Sequence, residues 1–459
     1  MNKDEYSEQI SPVTIDAGPS SWQILQQDAD GVASVTLSGR WWTIGRRKKP
    51  EVRVRIVRED DGTPIGTAHD WQRARTAIDR SLGGDRAGRF GTWRIKMGHI
   101  PRGGPYRIQT KVGSVEDAIE WRRSGDVVNL LGVGDLWLIA GQSNAEGYGR
   151  DPAYDPPEMG VHQCLPGGWE LAMHEHSHSP WPAFGKILRR DRGYPMGLIP
   201  TAVGGSAVSE WDPGQDGALF KNMKDRLAAA GGRIKGCLWY QGESDTGGGD
   251  YPHYKARFRR FVRGLRRATR RPDLPVITVQ LNRVLGPRDD AAGWEAMREI
   301  QRRLAHEIDG VYIVPVFEAG LCDGIHLSSL GNLLVAQRTA AVALGAVYGR
   351  DVAYKHPECR SARRVSGATI ELHFDHIVTR LDYECDVGNG FAFAVRDREG
   401  EVPVLRYRMI GGNRMRIELA RALHGRATVT GAPGCCPPHI VPRDISGYRG
   451  MLGFTMDVS

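Results

Sequence analysis

Three regimes of hydrophobic patterning follow one another along the chain. From about residue 12 to 130, apolar and polar positions alternate with period two in Ala33-Ser-Val-Thr-Leu-Ser-Gly39, Val52-Arg-Val-Arg-Ile-Val57, Trp93-Arg-Ile-Lys-Met97 and Tyr106-Arg-Ile-Gln-Thr110. That spacing gives a strand one apolar and one polar face, while Asp60-Asp61-Gly62 and the Pro- and Gly-rich stretch 99–105 supply turns. The pattern predicts a β-sandwich of immunoglobulin-like size over residues 1–130, with no chemistry of its own.

From about 131 the period changes. Short apolar runs at Leu136–Ala140, Gly197–Thr201, Gly236–Tyr240, Pro275–Gln280 and Val311–Val316 predict buried parallel strands. Between them, Ala218–Ala230, Tyr254–Thr269 and Trp294–Ile308 have helical spacing, and a helix at about Leu330–Leu344 closes the series. This alternation predicts an α/β domain over 131–350, a parallel sheet with helices on both faces. From about 351 the strand pattern returns at Thr369–Phe374, Phe391–Val395, Val404–Met409 and Arg414–Leu419, predicting a C-terminal β domain over 351–459. There is no internal repeat.

Composition changes this picture little. A chain of 459 residues is long enough for two or three domains, and 40% hydrophobic with 25% charged residues is ordinary for a folded soluble protein. The net charge of +8 does not argue for a nucleic-acid partner. Met1–Ile10 lacks the apolar core of a secretory signal, and no run approaches a membrane span, so a cytoplasmic protein is expected. Seven scattered cysteines fit neither a disulfide framework nor a zinc pattern. Lys255 to Arg271 holds eight arginines, but Tyr254, Phe258, Phe261, Val262 and Leu265 fall on one helical face, so the cations form a solvated outer face.

Candidate chemistry gathers at the carboxyl ends of the α/β strands, where such sheets place their sites. Gly141-Gln142-Ser143-Asn144 follows the first strand, and Ser143 reads either as a helix cap or as a nucleophile whose own N–H faces a nearby anion. Gly204-Gly205-Ser206 follows the second, and two glycines let the backbone approach a ligand. Trp239-Tyr240-Gln241-Gly242-Glu243 follows the third, and Asp323-Gly-Ile-His326 lies after the last. Four such blocks supply the parts of acyl transfer: Ser143, a base in His326, a carboxylate in Asp323 to orient it, and oxyanion donors in the N–H groups of Ser143 and Gly204 or Gly205 and the Gln241 amide. His174-Glu-His176-Ser-His178 is a weak metal pattern, and lining the pocket is the better reading. Trp211 and Tyr240 could stack on a sugar ring or fill the core.

Gly-Gln-Ser-Asn at 141–144, Gly-Gly-Ser with Trp211 beyond it, Trp-Tyr-Gln-Gly-Glu at 239–243 and Asp-x-x-His at 323–326 together resemble the blocks of SGNH-type hydrolases, in the branch of sialate O-acetylesterases and acetylxylan esterases. The resemblance spans about 135 to 345. It implies a flavodoxin-like three-layer core, Ser143 as nucleophile, His326 as base, Asp323 as its orienting acid, and an acetylated carbohydrate as substrate, with no cofactor and no metal. Gln142, Asn144, Trp211 and Glu243 are implied as substrate-binding or supporting residues. The broader superfamily has an Asn in the third block, and Gln241 is favoured over Glu243 for that role because an amide can donate. Ala145 stands where Met is usual, and is expected to open space near the nucleophile. The alternatives are an acetylesterase of plant polysaccharide such as xylan, or an inactive carbohydrate-binding scaffold.

Overall fold

The computed structural model describes residues 11–44, 49–79, 88–174, 176–286, 290–383, 390–438 and 440–459. Met1–Ile10, Glu175 and Cys385, used in the reading above, lie outside them. The chain divides into two compact units: Met1–Leu136 with Glu158–Ala172 and Arg189–Leu198, and Trp137–Pro157 with Met173–Leu188 and Ile199–Ser459.

In the first unit the strands are β1 (Ile24–Gln26), β2 (Val32–Ile44), β3 (Pro50–Arg58), β4 (Gln72–Arg73), β5 (Arg75–Ile78), β6 (Gly88–Pro101), β7 (Gly103–Ser114) and β8 (Arg123–Gly141) as far as Leu136. β6 pairs with both β2 and β5, while β7 pairs with β3 and β8. Leu37, Trp41 and Trp93 of the first group share one buried core with Val54, Ile56, Ile108 and Val133 of the second. A hairpin follows, β9 (Val161–Leu165) with β10 (Gly168–Leu171), and β9 runs parallel to β11 (Met196–Pro200).

Residue 131, where a domain boundary is expected, lies within β8. β8 is one strand of 19 residues. Gly132 and Gly134, which interrupt the apolar pattern, are sites of close approach: a Cβ on Gly134 would meet the Pro195 carbonyl oxygen at 1.8 Å. The hairpin 161–171, absent from the sequence reading, belongs to the same unit.

The second unit is α/β. After Trp137–Gly141 of β8 come α1 (Ser143–Glu146), α2 (Pro180–Arg192), α3 (Ala218–Ala229), β12 (Gly236–Tyr240), α4 (Tyr251–Thr269), β13 (Val276–Val279), α5 (Ala291–Glu307), β14 (Val311–Val314) and α6 (Ser329–Val342). β8, β12, β13 and β14 are consecutive parallel neighbours, with Trp137 opposite Gly236 and Gly141 opposite Tyr240. Beyond Ile199 and Pro200 the chain lies against the other edge of β8, where the Thr201 amide donates to the Ile139 carbonyl at 2.8 Å. The chain therefore leaves β8 first to one side and later to the other. The loop after β8 sits at that switch point, where an open α/β sheet forms its crevice.

Helix α2 escapes the sequence pattern because it begins Pro-Trp-Pro, although proline suits a first helical turn. The helical stretch Ser329–Val347 is long and apolar enough to cross a membrane by length and composition, yet just over half of it is buried and its Arg338 pairs with Glu318 at 2.9 Å. It is read here as a core helix. The basic face of α4 is largely neutralised, with Arg260 on Asp212 at 2.5 Å and Lys255 and Arg259 both on Glu307.

Residues from Glu358 onward form an eight-stranded sheet over its own core of Ile370, Leu372, Phe374, Val395, Ile417 and Phe454. The buried Arg298 ties it to the α/β region: its guanidinium donates to the carbonyls of Leu281 and Asn282 after β13 and of Ala432 and Gly434 in the β region.

Candidate active site

The turn after β8 is forced by Gly141, at φ 131°, where a Cβ would meet the Tyr240 carbonyl oxygen at 2.1 Å. Only glycine lets the two strand ends come this close. The Gln142 amide then donates to that same carbonyl at 2.9 Å, and one helical turn begins at Ser143. Gln142, rather than Ser143, occupies the capping position, so the serine hydroxyl is not used as a cap. It lies 2.8 Å from His326 Nε2. His326 Nδ1 is 2.7 Å from Asp323 Oδ2, and Asp323 Oδ1 accepts from the amides of Ile325 and His326 at 2.8 and 2.7 Å.

The carboxylate thus accepts the hydrogen bond of Nδ1–H, which keeps the proton on that nitrogen and leaves the Nε2 lone pair for the Ser143 hydroxyl. Burial alone would raise the Asp323 carboxyl; hydrogen bonds from the two amides and from the His326 ring outweigh it and hold the carboxyl below the usual carboxylate range. Asn144 registers the two halves. Its Nδ2 donates to the Ile325 carbonyl at 3.3 Å and its Oδ1 accepts the Leu327 amide at 3.0 Å, one bond on each side of the histidine. Nδ2 also donates to Glu243 Oε1 at 2.8 Å.

Among the expected oxyanion donors, Ser143 has a first-turn N–H without an intrahelical acceptor. Gly204 lies beside it, a Cβ there falling 3.7 Å from Ser143 Cβ, but its amide donates to Glu146 Oε2 at 3.0 Å. Gly205 is exposed at φ 71°. Gln241 is a correction. Its amide nitrogen is committed to Asp245 Oδ2 at 2.6 Å, the Ser206 carbonyl at 3.0 Å and Gln142 Oε1 at 3.2 Å, and the residue is fully buried. Both N–H bonds are already used inside the protein. Gln142 Oε1 also accepts the amides of Gly242 and Ser244, so it fixes the third block rather than facing substrate.

Glu243 is buried, and burial pushes its carboxyl above the usual range; Asp245 shifts upward for the same reason. For Trp211 the core reading holds. It is fully buried, donates to Ser206 Oγ at 3.0 Å and meets Trp239 edge-on, so it cannot stack on a sugar. Tyr240 is equally buried. Ala145 is buried beneath the turn, with a Cβ on Gly141 falling 3.0 Å from its own, so it opens no space to solvent.

The sequence reading missed Tyr148, whose ring stacks on His326 at 4.1 Å between centroids and 29° between planes. An aromatic residue set between Gly147 and Gly149, directly after the Gly-Gln-Ser-Asn block, was the available signal.

His174 and His178 gather on Asp155 rather than on Ser143, His326 and Asp323. One ligand atom from each of the three lies within 4.8 Å of the others, a metal-like spacing. The chemistry does not fit an ion. His174 Nδ1 accepts the Ser179 amide at 3.2 Å, so its Nε2 carries the proton that meets Asp155 Oδ2 at 2.8 Å, and the Lys186 ammonium holds the other carboxylate oxygen. Burial would raise the Asp155 carboxyl, but hydrogen bonds from the histidines and Lys186 hold it well below the usual range.

Residues 133–345 match the family described as carbohydrate esterase, sialic acid-specific acetylesterase. A probable carbohydrate esterase of Arabidopsis thaliana is 39% identical over 90 residues, 19% of this chain, and the match spans about a third (34%) of that relative's length. The crystal structure of a carbohydrate acetylesterase from Xanthomonas citri is similar over 97% of this chain and 100% of its own, at 21% identity and a TM-score of 0.66, a likeness of fold. The X-ray structure of an Arabidopsis thaliana protein is 26% identical, covering 46% of this chain and 98% of its own with a TM-score of 0.41.

Proposed function

We propose that this protein, whose residues 133–345 match the carbohydrate esterase family described as sialic acid-specific acetylesterase, hydrolyses O-acetyl esters on sugars through a serine acetyl-enzyme, with O-acetylated sialic acid as the first substrate to test. The carrying observation is the continuous hydrogen-bond line from Asp323 through His326 to the Ser143 hydroxyl. The core is read as the flavodoxin-like three-layer arrangement, which the course of the chain on either side of β8 supports.

Ser143 Oγ attacks the acetyl carbonyl while His326 Nε2 takes its proton, and Asp323 stabilises the imidazolium that forms. The oxyanion is received by the Ser143 N–H with that of Gly205, or with that of Gly204 once Glu146 gives way. Collapse breaks the bond to the sugar oxygen, which leaves as a hydroxyl with the proton from His326. Water, deprotonated by the same imidazole, then attacks the acetyl-enzyme and releases acetate and free Ser143. In this reading Gln241, Asn144 and Glu243 hold the site in shape without touching substrate.

Ser143→Ala is expected to fold normally and to lose about three orders of magnitude or more in hydrolysis of small acetate esters. Unchanged turnover would sink the mechanism. Exposure of Val203, Gly204, Gly205 and Asp323 around the serine favours a second reading, a deacetylase of plant polysaccharide, since a polymer needs an open rim. Acetate release from acetylated sialic acids, xylo-oligosaccharides and pectic fragments separates the two. The intact triad argues against an inactive scaffold, and a serine-directed phosphonate that fails to label folded protein at Ser143 would reverse that.

A further inference from the structure

We propose that Arg150 is the anion-reading residue of this site, its guanidinium taking the carboxylate of an acidic sugar ester, so that the substrate class is a sugar acid rather than a neutral polysaccharide. The inference rests on the reading that Ser143 cleaves sugar acetates. Arg150 is exposed, and its Cζ lies 4.4 Å from the centroid of the Tyr148 ring. Tyr148 has one face against His326, at 4.1 Å. With that face occupied, the guanidinium lies on the other, and the order is arginine, tyrosine, base. A stacked guanidinium keeps its in-plane N–H groups free for a carboxylate, which they match in a two-pronged geometry.

An exposed arginine without a partner is common; its surroundings set this one apart. Arg150 has no carboxylate partner among the described residues, and three acids of the same loops bond elsewhere. Glu146 accepts the Gly204 amide at 3.0 Å, Asp151 the Ser329 amide at 2.7 Å, and Asp323 the histidine and two amides. Among the described residues each of these three carboxylates has a hydrogen-bond donor, while the Arg150 guanidinium has no carboxylate on it. Its backbone is also fixed. Gly147 O accepts the Ser177 hydroxyl, Gly149 exchanges two backbone bonds with His178, and the Tyr148 carbonyl accepts the Cys322 thiol at 3.3 Å. A Cβ on Gly149 would fall 2.8 Å from Ser329 Oγ, so the segment has little room to shift. The cation is thus presented two stacking distances from the base that would protonate the departing sugar.

The test uses the full chain and a matched pair of substrates, an O-acetylated N-acetylneuraminate and the same compound with its carboxylate converted to a carboxamide. Acetate release by the wild type is expected to favour the acid at least tenfold in kcat/KM, mainly through KM. Arg150→Ala is expected to lower that acid-to-amide ratio at least tenfold, and Arg150→Lys to restore part of it. Rising salt should narrow the wild-type ratio. A wild type without preference, or a ratio unmoved by Arg150→Ala, overturns the proposal. If the wild type releases acetate from neither compound, the acetylesterase reading fails on its own. Calorimetric titration with N-acetylneuraminate then decides the subsite, which falls if the acid does not bind or if Arg150→Ala binds it as tightly as the wild type.

Discussion

Two of the carboxylate–imidazole pairs described in the second unit have nearly the same geometry at the bond between acid and ring. His326 Nδ1 is 2.7 Å from Asp323 and His174 Nε2 is 2.8 Å from Asp155. They differ at the far nitrogen. His326 meets the Ser143 hydroxyl there, at 2.8 Å, whereas His174 meets the Ser179 backbone N–H, at 3.2 Å. A hydroxyl can surrender its proton as it attacks; a peptide N–H cannot do so usefully near neutral pH. The surroundings follow suit. The Asp323 side chain is 39% exposed and carries one imidazole, while that of Asp155 is 8% exposed and carries a buried ammonium and two imidazoles stacked at 4.1 Å. A histidine held by an acid is half of a relay, and what its other nitrogen faces decides whether the pair moves protons or holds chain segments together.

The sharpest break of this comparison is Asp323→Asn. The amide can offer its NH₂ to Nδ1 and reverse the tautomer, so kcat on a small acetate ester is expected to fall by about 10³–10⁴ with little change in melting temperature. Asp155→Asn should do the opposite. It strands the buried Lys186 ammonium, at a cost of about 3–5 kcal/mol in denaturant unfolding, while the folded fraction keeps its turnover within about tenfold. A large loss of kcat without loss of stability in Asp155→Asn would place that pair in the reaction and erase the distinction.

The smallest effect concerns a third carboxyl with no imidazole bonded to it. Burial raises the Glu243 carboxyl, so the folded protein holds that proton to higher pH than the unfolded chain, and the contribution to stability falls as pH climbs past the ordinary carboxylate range. Asp323 and Asp155 have the opposite sign, their contributions being lost as pH falls. Glu243→Gln keeps an acceptor for Asn144 and removes the titration. Its melting temperature relative to the wild type is therefore expected to rise by a few degrees between pH 4 and pH 7, and a flat difference would refute this.

Ser143, Asp323 and His326 are legible in the sequence because each stands in a block directly behind an apolar strand or just beyond the last one, and because the acid and base share one turn. Gln241 is misread because its amide is consumed by Asp245, four residues on, and by the Ser206 carbonyl from another loop. Sequence shows that an amide is available, not that its donors are already bound. For Trp211 the sequence leaves a sugar platform and a core position equally open, and Trp239 and Phe261 closing around it decide for the core. The Asp155 cluster joins residues from the turn after Tyr154, the 174–178 stretch and α2, and no local periodicity reports such a meeting. The strand β8 is cut short in the sequence reading because glycine serves there for close approach rather than as a stop.

The two bonds that Asn144 makes on either side of His326 also bear on the order of events during folding. The Leu327 amide and the Asn144 side chain are 183 residues apart in the chain. The turn at 141–144 leans on Tyr240 of β12, and the 323–327 turn that meets Asn144 follows β13 and β14 in the chain, so its docking is expected to come late. Closing a loop of that length is slow relative to local structure. Return of esterase activity on refolding should therefore lag the return of helical signal, and the enzyme's own turnover becomes a clock for the last long-range contact of its core.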